Sequence, residues 1–147
     1  MERIVVGVDG SDNARAALAW AVDEARSRGA SLDVMLVWHL PVYGGMYGVP
    51  LPTPGPEVEE SYRAQLDSII DECDTEGMVA PIGRLLREGS AAGELLAEAQ
   101  AADLLVVGSR GHGGFVGLLL GSVSHQIAAH APCPIVIVPG SAESRSD

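Results

Sequence analysis

Six glycines fall within fourteen residues (Gly108, Gly111, Gly113, Gly114, Gly117 and Gly121), and the run closes on Ser122. Glycine costs conformational entropy in a folded interior, so this density implies a backbone that something must approach closely. N–H groups freed of side chains can converge on phosphate oxygens, and a helix starting at the end of the run adds its positive dipole end. Ser122 supplies a hydroxyl at that start, Arg110 a full positive charge, and His112 one that depends on pH. Tight turns and close helix–sheet packing also use glycine, but a cluster ending in Gly-Ser before a helix favours an anion. The spacing is neither GxGxxG nor a P-loop.

Other chemistry fits the residues less well. Ser109, Ser122 and Ser124 lie near His112 and His125 in the chain, yet there is no GxSxG elbow to expose a nucleophile. His125 and His130 are five apart, about 140° around a helix, and do not make a two-histidine metal site. Asp9 ends a buried strand and can either bond a nucleoside, or hold Mg²⁺ through water, or simply close an Asx turn. Asp12 is expected to cap the helix that follows, and the Glu57, Glu59 and Glu60 cluster suits the start of another. No poised base or nucleophile stands beside the glycine run, which favours binding over turnover.

These residues need elements to hold them. RIVVGV (3–8) reads as a strand buried on both faces. A helix follows to about Arg28, with Ala14, Ala17, Leu18, Ala21, Val22 and Ala25 on one face and Gly29 as its stop. A second strand spans 32–38. The stretch 39–56, rich in Pro, Gly and Tyr, is expected to be a long loop of the kind that serves as a lid or contact surface. Glu57 opens a second helix bearing Val58, Tyr62, Leu66, Ile69, Ile70 and Cys73, and a third strand is placed over 79–86. Ser90 is a cap for a third helix with Leu95, Leu96 and Ala99. The strand 104–107 leads into the glycine run, Ser122 caps a fourth helix to about His130, and 135–138 is the last strand.

Strand and helix alternate, which implies a parallel sheet with helices on both faces. Ligands of such sheets sit at the carboxyl ends of the strands, where the order reverses. Order 3-2-1-4-5 makes residues 7–11 and the glycine run flank one crevice; order 2-1-3-4-5 puts the reversal elsewhere, and the pattern fits both.

Composition narrows the function. The 147 residues are 47% hydrophobic and 20% charged, with a single Phe, which suits one domain (1–140) with an aliphatic core and a frayed polar tail (141–147). A net charge of −11 argues against nucleic acid and anionic membranes as partners. All nine basic residues are arginines, so a P-loop lysine and Schiff-base chemistry are excluded. Cys73 and Cys133 form no CxxC pair, and nothing resembling a signal precedes the first strand; a cytoplasmic protein with reduced thiols is expected.

Taken together, these residues resemble the ATP-binding branch of the universal stress proteins, whose motif is G-2x-G-9x-G-(S/T). Gly108, Gly111 and Gly121-Ser122 satisfy it, and the opening IVVGVDGS and closing HAPCPIVIVP look like the family's ends. The resemblance spans essentially the whole chain. It implies a Rossmann-like, adenine nucleotide alpha hydrolase-like sheet of five parallel strands in order 3-2-1-4-5, with ATP, carried with Mg²⁺, across the crevice between strands one and four. Gly7, Asp9, Gly10 and Ser11 would then border the adenosine, and Val37 would meet adenine through its backbone. Gly108, Ser109, Arg110, Gly111, His112, Gly113 and Gly114 would wrap ribose and phosphates, and Gly121 and Ser122 would hold phosphate oxygens. Family members commonly dimerise through the last strand, here Pro134 to Val138, and an exposed apolar edge is physically suited to that. The expected role is nucleotide-dependent regulation in a stress response with little or no turnover. The alternatives are a nucleotide-independent dimeric interaction module and a slow ATP hydrolase.

Overall fold

The computed structural model describes residues 1–39, 56–110 and 120–140. Nearly all of the 39–56 stretch, the glycine-run residues 111–119 and the tail 141–147 lie outside the described residues.

The chain runs β1 (Arg3–Val8), α1 (Asp12–Arg28), β2 (Ser31–Trp38), α2 (Pro56–Asp71), β3 (Gly83–Glu88), α3 (Ala91–Ala99), β4 (Leu104–Gly108), α4 (Ser122–His130) and β5 (Ile135–Val138). The strands form one five-stranded sheet in the order β3-β2-β1-β4-β5, with every pairing parallel. Of the two orders the pattern allowed, the one implied by the resemblance is therefore the one observed.

The central strands are apolar because helices cover both their faces. Ile4, Val6, Val34, Leu36 and Val106 pack with the buried stripe of α1 and with Leu66, Ile69 and Ile70 of α2. Val5, Met35, Leu105 and Val107 pack with Leu95 and Ala99 of α3 and Ile127 of α4 on the other side. All six α1 residues expected on its inner face are buried, and Gly29 ends that helix in the left-handed region at φ 65°.

Some local expectations shift. β3 covers Gly83–Glu88 rather than 79–86. Pro81 lacks the N–H a ladder requires, while Arg87 and Glu88 extend the strand to pair with Val37 and Trp38. A half-covered edge strand tolerates their charge. Ser11 rather than Asp12 caps α1, because its hydroxyl sits three residues ahead of the amide it accepts. Cys73 lies just beyond the end of α2 but still packs against the core.

The amino end of the sheet is tied by charge. Arg3 Nε donates to Asp33 Oδ2 at 2.7 Å and Nη2 bonds Glu98, joining β1 to β2 and α3. Burial pulls the Arg3 guanidinium down, but the Glu98 and Asp33 hydrogen bonds together outweigh it and hold its pKa above the ordinary value. This network leaves the opposite, carboxyl end of the sheet free for other work.

Candidate functional site

β1 and β4 are neighbours, with Val6 aligned to Val106, so the segments leaving their carboxyl ends run out side by side. Beyond β1 the chain must turn at once into α1. Asp9 Oδ1 accepts from the Ser11 amide at 2.9 Å, closing an Asx turn. Gly10 takes φ 84°, a left-handed value that only glycine adopts without strain. Ser11 Oγ then accepts from the Ala14 amide at 3.1 Å and caps the helix. Asp9 takes part in further interactions besides this turn. The turn is thus one of the roles expected for Asp9, and it holds the carboxylate at the strand end.

Gly7 lies two positions before Asp9, within β1, aligned with Met35. A Cβ there would come within 2.9 Å of the Leu95 methyls of α3. Val37 stands half-buried near the end of β2, opposite Arg87. Beside it the Trp38 ring stacks on Tyr62 of α2, with centroids 5.2 Å apart and planes 16° from parallel.

On the β4 side the backbone comes closer still. A Cβ at Gly108 would lie 2.9 Å from the carbonyl carbon and oxygen of Asn13, in the first turn of α1. Only a residue without a side chain lets the end of β4 meet the start of α1 at that distance. Ser109 follows, buried, with its amide donating to Val138 O at 2.9 Å. Arg110 comes next and is partly exposed. Gly111, His112, Gly113 and Gly114 lie outside the described residues.

The chain returns at Gly121. Gly121 rather than Ser122 is the N-cap of α4, with φ −75° and ψ 174°, and it has no side chain with which to cap the first turn. α1 and α3, by contrast, are capped by Ser11 and Ser90. Ser122 is the first helical residue and is exposed, at the end of α4 that lies beside the carboxyl end of β4. Donors without acceptors at a positive dipole end can bind an anion. The structure thus brings Gly7, Asp9, Gly10, Ser11, Gly108, Ser109, Gly121 and Ser122 to the carboxyl ends of two adjacent strands. Val37 lies one strand further out, on β2.

Two residues not chosen for binding stand out. Asn13 Oδ1 is buried with no hydrogen-bond partner, and an unpaired buried acceptor is uncommon enough to mark the position. Ser124 is 3% exposed and its hydroxyl donates to the Ser109 carbonyl at 2.7 Å. A polar residue amid the apolar stripe of α4 was the available signal for Ser124; Asn13 carried none beyond its place in the first turn. Among the described residues, no group of three or more His, Cys, Asp or Glu is arranged to hold a metal ion, and no helix is long and apolar enough to cross a membrane.

Sheet order and crevice together define a doubly wound α/β protein of the Rossmann-like type. The model of the universal stress protein family matches residues 1–139, and the chain belongs to that family. It is 37% identical over 139 residues to a universal stress protein of Mycolicibacterium smegmatis, covering 92% of this chain and 45% of the relative. It is 35% identical over 142 residues to one of Thermus aquaticus, covering 92% of this chain and 96% of the relative. The chain thus spans about half the length of the mycobacterial relative and nearly all of the Thermus one. Among solved structures, a universal stress protein in complex with cAMP superposes with a TM-score of 0.70 at 27% identity, covering 95% of this chain and 98% of that one. The Archaeoglobus fulgidus universal stress protein in complex with dAMP gives 0.60 at 28% identity, with 94% and 98% covered.

Proposed function

We propose that this chain binds ATP, with Mg²⁺ carried on the phosphates, and acts as a nucleotide-responsive regulator with little or no turnover. The observation that carries the reading is the spacing Gly108-x₂-Gly111-x₉-Gly121-Ser122 at the end of the strand beside β1, closing on a helix whose N-cap is a glycine with no capping side chain. The cAMP and dAMP complexes of similar proteins support an adenine nucleotide as the ligand class.

In this reading the phosphates sit on the Gly121 and Ser122 end of α4, where N–H groups and the dipole favour negative charge. Arg110 and His112 offset part of the repulsion from a chain of net charge −11. Gly108, Ser109, Gly111, Gly113 and Gly114 let ribose and phosphate approach the backbone. The adenosine lies along Gly7, Asp9, Gly10 and Ser11, with adenine against the Val37 backbone. Asp9 is suited to a nucleoside hydroxyl or a magnesium-bound water. A second copy joins through the Pro134–Val138 edge, and the free cysteines fit a cytoplasmic location, where thiols stay reduced.

Isothermal titration of Mg²⁺-ATP into nucleotide-stripped protein tests the reading, with Gly121→Asp alongside. Saturable binding at about micromolar Kd, lost in a folded Gly121→Asp, is the expected result. No uptake by the parent overturns it and leaves a dimeric interaction module of the same fold.

A further inference from the structure

A serine in the first turn of a helix ordinarily returns its hydroxyl to that turn. Ser124 has such an acceptor in Gly121 O, at 3.2 Å. Its shorter bond, 2.7 Å, instead reaches back across the glycine run to Ser109 O, at the end of β4. The same carbonyl also accepts from the Gly121 amide at 2.7 Å, so both of its lone pairs are used. The other side of this residue is fixed as well, since the Ser109 amide donates to Val138 O of β5 at 2.9 Å. The departure and return of the chain are therefore fastened at one buried carbonyl, itself anchored in the sheet.

We propose that Ser124 is a positioning residue: its buried hydroxyl locks the start of α4 to the end of β4, and so aims the Ser122 amide and hydroxyl, next along the chain, at a bound phosphate. The proposal rests on the nucleotide reading above and adds what sets its phosphate end. Gly121, the N-cap, has no side chain with which to set its own orientation or to cap the first turn of α4. Orientation must come from elsewhere: the Gly121 amide is held by Ser109 O, and among the described residues the Ser124–Ser109 bond adds a side-chain tie to the same carbonyl. Donors held in place before the ligand arrives bind it without a further ordering cost. Removing the hydroxyl leaves Ser109 O still paired to Gly121, so no buried acceptor is orphaned. The fold survives the loss while the aim of the donors relaxes.

The test compares the parent chain, Ser124→Ala and Ser124→Thr by Mg²⁺-ATP titration, thermal melting, and hydrogen exchange at the Gly121 and Ser122 amides. Ser124→Ala is expected to raise the Kd about tenfold, the scale of one well-made hydrogen bond. It should also speed exchange at Gly121, with the melting temperature lower by only a few degrees. Ser124→Thr keeps the hydroxyl and should retain the parent's affinity. A folded Ser124→Ala that binds ATP as the parent does overturns the proposal alone. So does an equal loss in both variants that follows their melting temperatures, which marks general packing. A parent that takes up no ATP overturns the nucleotide reading itself, and the role of Ser124 falls with it.

Discussion

A methyl group at Gly108 would stand 2.9 Å from two backbone atoms of Asn13, and backbone in the first turn of a capped helix cannot swing aside. Gly7 differs, because its obstruction is the end of the Leu95 side chain, which can rotate. Gly108→Ala is therefore expected to destabilise the protein by about 1–3 kcal/mol, read by urea denaturation, and Gly7→Ala by less. Gly108→Ala should also weaken ATP binding, since the forced shift separates the two strand ends that form the crevice. The cysteines give a second test at this scale. Burial pushes the thiols of Cys73 and Cys133 above their ordinary pKa. A raised pKa leaves less thiolate at neutral pH, and the thiolate is the reactive form. Alkylation by iodoacetamide, followed by mass spectrometry, is expected to be slower at both than at an unstructured cysteine peptide at pH 7, with the rate climbing into more alkaline solution.

Elements differ in how plainly the chain announced them. β1 and α1 were legible because their patterns are unambiguous: an apolar run buried on both faces, then a stripe at helical spacing that ends on glycine. β3 was misplaced because it is an edge strand, where Arg84, Arg87 and Glu88 are admitted and hydropathy loses its edge-finding power. Both misassigned caps lie one residue from the observed ones, within the margin to which helix ends are usually defined. Ser11 takes that role for α1, and Ser11→Ala should cost about 1 kcal/mol, measured by the shift of the denaturation midpoint. The glycine spacing made the candidate phosphate end readable without coordinates. Asn13 and Ser124 were not readable, because one matters through contact with β4 and the other through a carbonyl on the far side of the run.

For the whole molecule, the order β3-β2-β1-β4-β5 leaves β5 as an edge whose four residues are each half-buried. Pro134 O and Val138 O face β4, accepting from Leu105 and Ser109. By alternation along the strand, the N–H and C=O of Ile135 and Ile137 face outward. A dimer built on this edge uses those groups, so Ile137→Pro, which removes one outward donor, is expected to shift sedimentation equilibrium from dimer toward monomer. The measurement belongs well below the melting temperature, because the substitution also trims packing. An unchanged mass distribution would place the association elsewhere.

The sheet order also bears on how the protein is made. Val6 pairs on one side with Val34 and on the other with Val106. The first neighbour emerges from the ribosome soon after β1; the second arrives only when most of the chain has been synthesised. Until then β1 carries an open, strongly apolar edge, the kind of edge that invites wrong pairing. The crevice between β1 and β4 is therefore assembled late in synthesis, and a nascent chain stalled before β4 holds the proposed adenosine-side residues Gly7, Asp9, Gly10, Ser11 and Val37 but none of the proposed phosphate end. On the nucleotide reading proposed above, ligand binding adds stability only once β4 is in place.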